Sequence, residues 1–157
     1  MTDPLAEWRS GIDPVLARLR DAELPAGFPL DFSPASLSAL EAVLLERFPA
    51  GARFGGEDLA ESAVAYVGEA LLLVGGGDWE WADGPVVRFD DALDLEPVSP
   101  LRLLGRVVRS RTGVVLAHAH AAVLEAVSRQ QLEDPGWAPS RGVGAGGGTV
   151  IRLPRRP

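Results

Sequence analysis

The chain has 157 residues, 46% of them apolar, with a formal net charge of −7 and no cysteine. That length supports one hydrophobic core, and the missing thiols exclude disulfides, thiolate catalysis and cysteine-ligated zinc. No apolar run approaches the roughly 18 residues a membrane span needs, and Met1–Glu7 has two acids and no basic stretch, so neither a membrane anchor nor a secretory leader is expected and the location is read as cytoplasmic.

Asp3-Pro4 and Asp13-Pro14 each pair a capping acid with a proline. Proline has no amide hydrogen to lose in a first helical turn, so both are helix-start signals. With Val15, Leu16 and Leu19 as an apolar face, the second predicts a short helix from Asp13 to about Ala22. Pro25, Gly27 and Pro29 then impose a loop. Ser33-Pro34 opens the next helix, whose stripe of Leu37, Leu40, Val43, Leu44 and Phe48 has the spacing of one buried face, and Pro49 ends it.

A third helix should begin at Glu57-Asp58, whose charges suit the positive end of the helix dipole. Its residues are apolar almost all round, so it is expected at the centre of the domain. Glu69 is its one acid within the apolar stretch, and Gly75-Gly76-Gly77 terminate it. Trp79 to Trp81 and Val86 to Phe89 read as two strands joined by Asp83-Gly84, with Pro85 favouring an edge position. The alternation Leu93-Asp94-Leu95 predicts a third strand.

Ser99-Pro100 starts a further helix with Leu101, Leu104, Val107 and Val108 inward and Arg102, Arg106 and Arg109 outward. Thr112-Gly113 interrupts, and an alanine-rich helix resumes from Val114 to about Arg129. Pro135, Gly136, Pro139 and the glycines of 142–148 then dilute the apolar content, so 130–157 is expected to be a flexible tail ending in a strand-like Thr149–Leu153. The expected architecture is α+β: helices packed on a small antiparallel sheet, in a single domain spanning 1–129, followed by that tail.

Charge is unevenly distributed. Residues 1–98 hold nineteen acids and six arginines, a net of −13, whereas 99–157 hold three acids and nine arginines, a net of +6. Two readings are open: the halves pack against each other, or an acidic face steers a basic protein partner. Nucleic acid is not expected as a ligand of the acidic part, because phosphate binding needs clustered positive charge. All fifteen basic residues are arginine, and lysine and asparagine are absent, the imprint of a GC-rich, actinobacterial genome.

Few residues offer chemistry. Glu69, a carboxylate on an apolar helix, is the one candidate general acid or base; its structural alternative is an acceptor for backbone amides or for Arg88. His118 and His120 would lie about 200° apart on a helix and so cannot share a metal, leaving one partly buried and one at the surface. The acids Asp78, Glu80, Asp83, Asp90, Asp91, Asp94 and Glu96 lack the spacing and central glycine of a calcium loop, so no metal is expected there. The glycines at 75–77 follow a helix rather than precede one, the wrong order for a phosphate cradle, and no cofactor is expected.

Tyr66-Val67-Gly68-Glu69, Gly76, Trp79, Pro85-Val86-Val87 and Ser99-Pro100-Leu101 together resemble a pattern of small, uncharacterised actinobacterial α+β domains, some similar to the immunity proteins of polymorphic toxin systems. The resemblance covers about residues 57–127, and no catalytic residues carry across from it; tryptophan offers anchor energy and the acids offer steering for a protein partner. The leading expectation is therefore a non-catalytic protein-binding domain whose face is Trp79, Glu80, Trp81, Asp83, Asp90, Asp91 and Asp94. Its rivals are a small enzyme using Glu69 in a pocket, and a scaffold subunit docking through its C-terminal tail. An apolar pocket converging on Glu69 would favour the enzyme.

Overall fold

Three helices begin as proline and a capping side chain dictate. In the computed structural model, which describes residues 2–141, Asp3 accepts from the Leu5 amide at 3.0 Å to start α1 (Pro4–Arg18). Ser33 caps α2 (Pro34–Arg47) and Ser99 caps α4 (Pro100–Ser110) in the same way. α3 (Asp58–Gly75) and α5 (Val115–Glu133) start without a side-chain cap from their own N-cap residue. Between α3 and α4 lie β1 (Asp78–Trp81) and β2 (Pro85–Arg88), paired antiparallel with Trp79 opposite Val87.

The α+β class is as expected, with α3 at the centre. From Ser62 to Leu72 every α3 residue except Glu69 is buried, and the helix packs against α1, α4, α5 and the hairpin. The α2 stripe of Leu37, Leu40, Val43, Leu44 and Phe48 is buried as its spacing requires. No helix among the described residues is long and apolar enough to cross a membrane.

Four local expectations are corrected. Pro14 lies inside α1 rather than starting a helix, because the earlier Asp3-Pro4 signal nucleates first and Trp8 and Ile12 extend the apolar face across it; α1 then widens into a π turn over Leu19–Glu23. Leu93-Asp94-Leu95 is not a strand. Asp91–Leu93 form a 3-10 turn closed by Asp94 at φ 51°, and Val98 instead bridges Val87 with two backbone hydrogen bonds of 2.8 and 2.9 Å. On α4, Leu103 occupies the core and Leu101 is exposed.

The fourth correction concerns the expected boundary at Arg129, which falls within α5. Beyond Glu133 the chain folds back across the domain as a strap. Trp137 packs on the core, the Ser140 amide donates to Asp90 at 2.7 Å, the Gly77 amide donates to the Ser140 hydroxyl at 3.0 Å, and Arg141 pairs with Glu69. The glycine run 142–148 and the strand-like 149–153 lie outside the described residues. Ending the chain after Glu133 rather than after Arg141 should therefore cost about 2 kcal/mol, on the order of 5 °C in Tm, from the lost packing and charged hydrogen bonds. Comparing thermal melts of the two truncations tests this, and equal Tm values would show that the strap is dispensable.

Candidate functional site

The functional candidates gather where α3 turns into the hairpin. Gly68 has no side chain to spare for this site: a Cβ there would overlap the six-membered ring of Trp79. The indole therefore lies against α3 at that point, 1% exposed, with the edge-on ring of Trp8 packed 5.2 Å away. Its N–H points at the next α3 residue, donating to Glu69 Oε1 at 2.9 Å. Glu69 Oε2 accepts from Arg141 Nη2. Both carboxylate oxygens are thus engaged, and the Glu69 side chain is 18% exposed.

Gly76 and Gly77 close the corner with φ of 70° and 90°, a backbone region that side chains disfavour. Their small size matters as much, since a Cβ on Gly76 would strike the Asp90 carboxylate and one on Gly77 would strike the Arg88 carbonyl. This close approach lets Asp90 take both the amide and the hydroxyl of Ser140. Arg9 of α1 reaches over the start of β1, donating to Asp78 at 2.7 Å and to the Trp79 carbonyl at 3.2 Å. Across the hairpin Arg88 donates to Glu80 at 2.8 Å, and that pairing raises the Arg88 pKa.

Glu69 thus accepts from an indole and a guanidinium, not from backbone amides or Arg88 as expected. The anticipated binding face is also divided. Trp79 is core, and Asp90 is occupied by the strap, while Trp81 is 44% exposed and Asp83, Asp91, Asp94 and Glu96 are exposed. Trp79 and Trp81 share one side of β1 by alternation; they differ because the strand runs past the edge of the core by its last residue. Asp83 (φ 56°) and Gly84 form the turn at the tip.

Among the described residues, Arg141–Glu69 is the one ion pair joining 1–98 to 99–141. Beyond that pair, no side-chain ion pair among the described residues neutralises one half against the other. Arg102, Arg106 and Arg109 face outward from α4 as expected. Arg111 (φ 54°) instead donates to the Phe48 and Leu45 carbonyls, 2.7 Å each, capping the end of α2. His118 is exposed and His120 is buried, which pushes the His120 pKa down.

A hollow of about 510 Å³ opens beside the corner, bordered by Arg9, Asp78, Trp79, Arg88 and Ser140. A second, of about 210 Å³, is bordered by Arg20, Leu30, Phe32 and Tyr66; there the Tyr66 hydroxyl meets Ser36 Oγ at 2.7 Å and burial raises its pKa. Glu69 borders neither. Among the described residues no three His, Asp or Glu side chains are grouped to hold a metal ion.

Sequence reasoning missed two participants at the corner, Ser140 and Arg141, because proline and glycine around them signal irregular chain rather than loose chain. It also missed Glu41, which is fully buried in α2 and accepts from the Val115 and Leu116 amides at 3.2 and 2.8 Å. An acid does stand within the apolar stripe between Leu40 and Val43, but its burial depends on amides of α5 that adjacent residues do not reveal. Comparison of the chain with protein-family models, with characterised proteins and with solved structures found no match.

Proposed function

We propose that the protein is a non-catalytic protein-binding domain that engages a basic partner through the acidic end of its hairpin, in the manner of an immunity protein that neutralises a toxin. The observation that carries this reading is the set of Asp83, Asp91, Asp94 and Glu96, all exposed and none in an ion pair among the described residues, on the same segment as the exposed Trp81. Unpaired acids raise the encounter rate with a positive surface, while a partly exposed indole offers contact area that a partner can bury. The enzyme alternative draws less support, since both Glu69 oxygens are engaged and neither hollow reaches it.

Replacing Asp83, Asp91 and Asp94 together by serine is expected to slow association with a partner purified from the native host by about tenfold at low ionic strength. The salt dependence of the rate should flatten, and the melting temperature should stay within a few degrees. Asp90 is left intact because it holds the strap. Stopped-flow association at two salt concentrations decides the matter, and an unchanged low-salt rate removes the hairpin from the interface.

A further inference from the structure

At the Glu69–Trp79 corner the carboxylate pairs with one cation, Arg141. One carboxylate oxygen is fixed by the indole N–H, which orients the group and leaves the second oxygen to Arg141. Around it α3 is buried from Ser62 to Leu72, so the charge sits in an apolar wall where a counter-ion is strongly favoured. The group that fills it is a guanidinium, whose planar fork suits a carboxylate better than an ammonium does.

Arg141 fills this place incompletely. It gives one N–H to Glu69, while its Nη1 is buried without a hydrogen-bond partner among the described residues. The strap that carries it is exposed from Asp134 to Gly136, and its apolar hold is centred on Trp137, with Pro139 half-buried, rather than on Arg141. The larger hollow abuts the strap at Ser140 and borders Trp79 without reaching Glu69, so a second guanidinium gains the carboxylate only as Arg141 leaves it. Exposed acids on the adjoining segment repel nothing cationic on the way in.

We infer that the Glu69–Trp79 corner is a binding site for an arginine side chain, occupied in cis by Arg141, and that an arginine of the protein partner takes its place on binding. The identity of the incoming chain as a basic protein rests on the function proposed above; the guanidinium specificity rests on the corner alone. Arg141 then acts as a built-in competitor that keeps the carboxylate paired until the partner arrives.

Arginine amide, with lysine amide as control, serves as the probe, read by the nitrogen-15 shift of the Trp79 indole N–H. Arg141→Ala and the bulk-preserving Arg141→Gln should each bind arginine amide at least about tenfold more tightly than the full chain, a difference of about 1.4 kcal/mol. Lysine amide should bind more weakly. Adding Glu69→Gln to either variant, which keeps an acceptor for the indole, should abolish the response. Equal affinity in the full chain and both Arg141 variants, or binding that survives Glu69→Gln, overturns the assignment. If arginine amide fails this test while the Asp83/Asp91/Asp94 serine variant still slows partner association, the pocket is rejected and the hairpin reading stands. If arginine amide binds as expected while that serine variant leaves association unchanged, the pocket stands without the hairpin.

Discussion

Trp79→Ala is expected to lower stability by about 3–5 kcal/mol, the cost of emptying a large aromatic site that its surroundings fill incompletely. Three contacts fail at once: the face against Gly68, the edge contact with Trp8, and the hydrogen bond that fixes Glu69. Against a typical total of about 5–15 kcal/mol, a loss of this size leaves a measurable unfolded fraction. Trp79→Phe separates the contributions, because it keeps most of the ring and loses the N–H; a cost of about 1–2 kcal/mol is expected there. Urea denaturation checks both, with a lower midpoint and an unchanged slope. A midpoint for Trp79→Ala equal to that of the parent would mean that the indole is not a core element.

Glu41→Ala should be nearly as damaging, at about 2–4 kcal/mol, since it strands two buried amides and removes a negative charge from the positive end of α5. Val114 stands at the N-cap of α5 and has no side-chain oxygen, so the cap arrives from α2 instead. Glu41→Gln retains one acceptor and sets an NH2 against the other amide, so it should fall between the parent and alanine. Amide exchange at Val115 and Leu116 reads the local effect directly. Protection unchanged in Glu41→Ala would show that another group satisfies these amides.

What was legible in the sequence were features written in adjacent residues. Ser33-Pro34 and Ser99-Pro100 each combine a side-chain acceptor with a fixed φ, and Asp83-Gly84 supplies the positive φ values of a tight turn. Glu41 was not legible, because its partners are 74 and 75 residues away and an acid in an apolar stripe looks the same whether buried or snorkelling. Asp13-Pro14 misled for a related reason. A start signal acts only where no helix is already under way, and α1 had begun ten residues earlier.

At the candidate site the sequence singled out Glu69 and the tryptophans but not the side of the chain each would face. Alternation put Trp79 and Trp81 on one side of β1, and only the edge of the core, set by α3 and α1, decided that one is buried and the other exposed. The strap was invisible because its hold depends on polar groups meeting Asp90 and Glu69, over separations of 50 and 72 residues. Composition measures apolar content and is blind to such bonds.

The buried carboxylate of Glu41 also constrains the order of events during synthesis. While only α1 to α4 have left the ribosome, the two amides that receive Glu41 are still inside the exit tunnel, and α2 cannot dehydrate its inner face without stranding a charge. That seam of α2 is therefore expected to stay hydrated until Val115 and Leu116 emerge to meet Glu41. Closure of the α2 face is consequently tied to the arrival of the start of α5, 74 residues further along the chain.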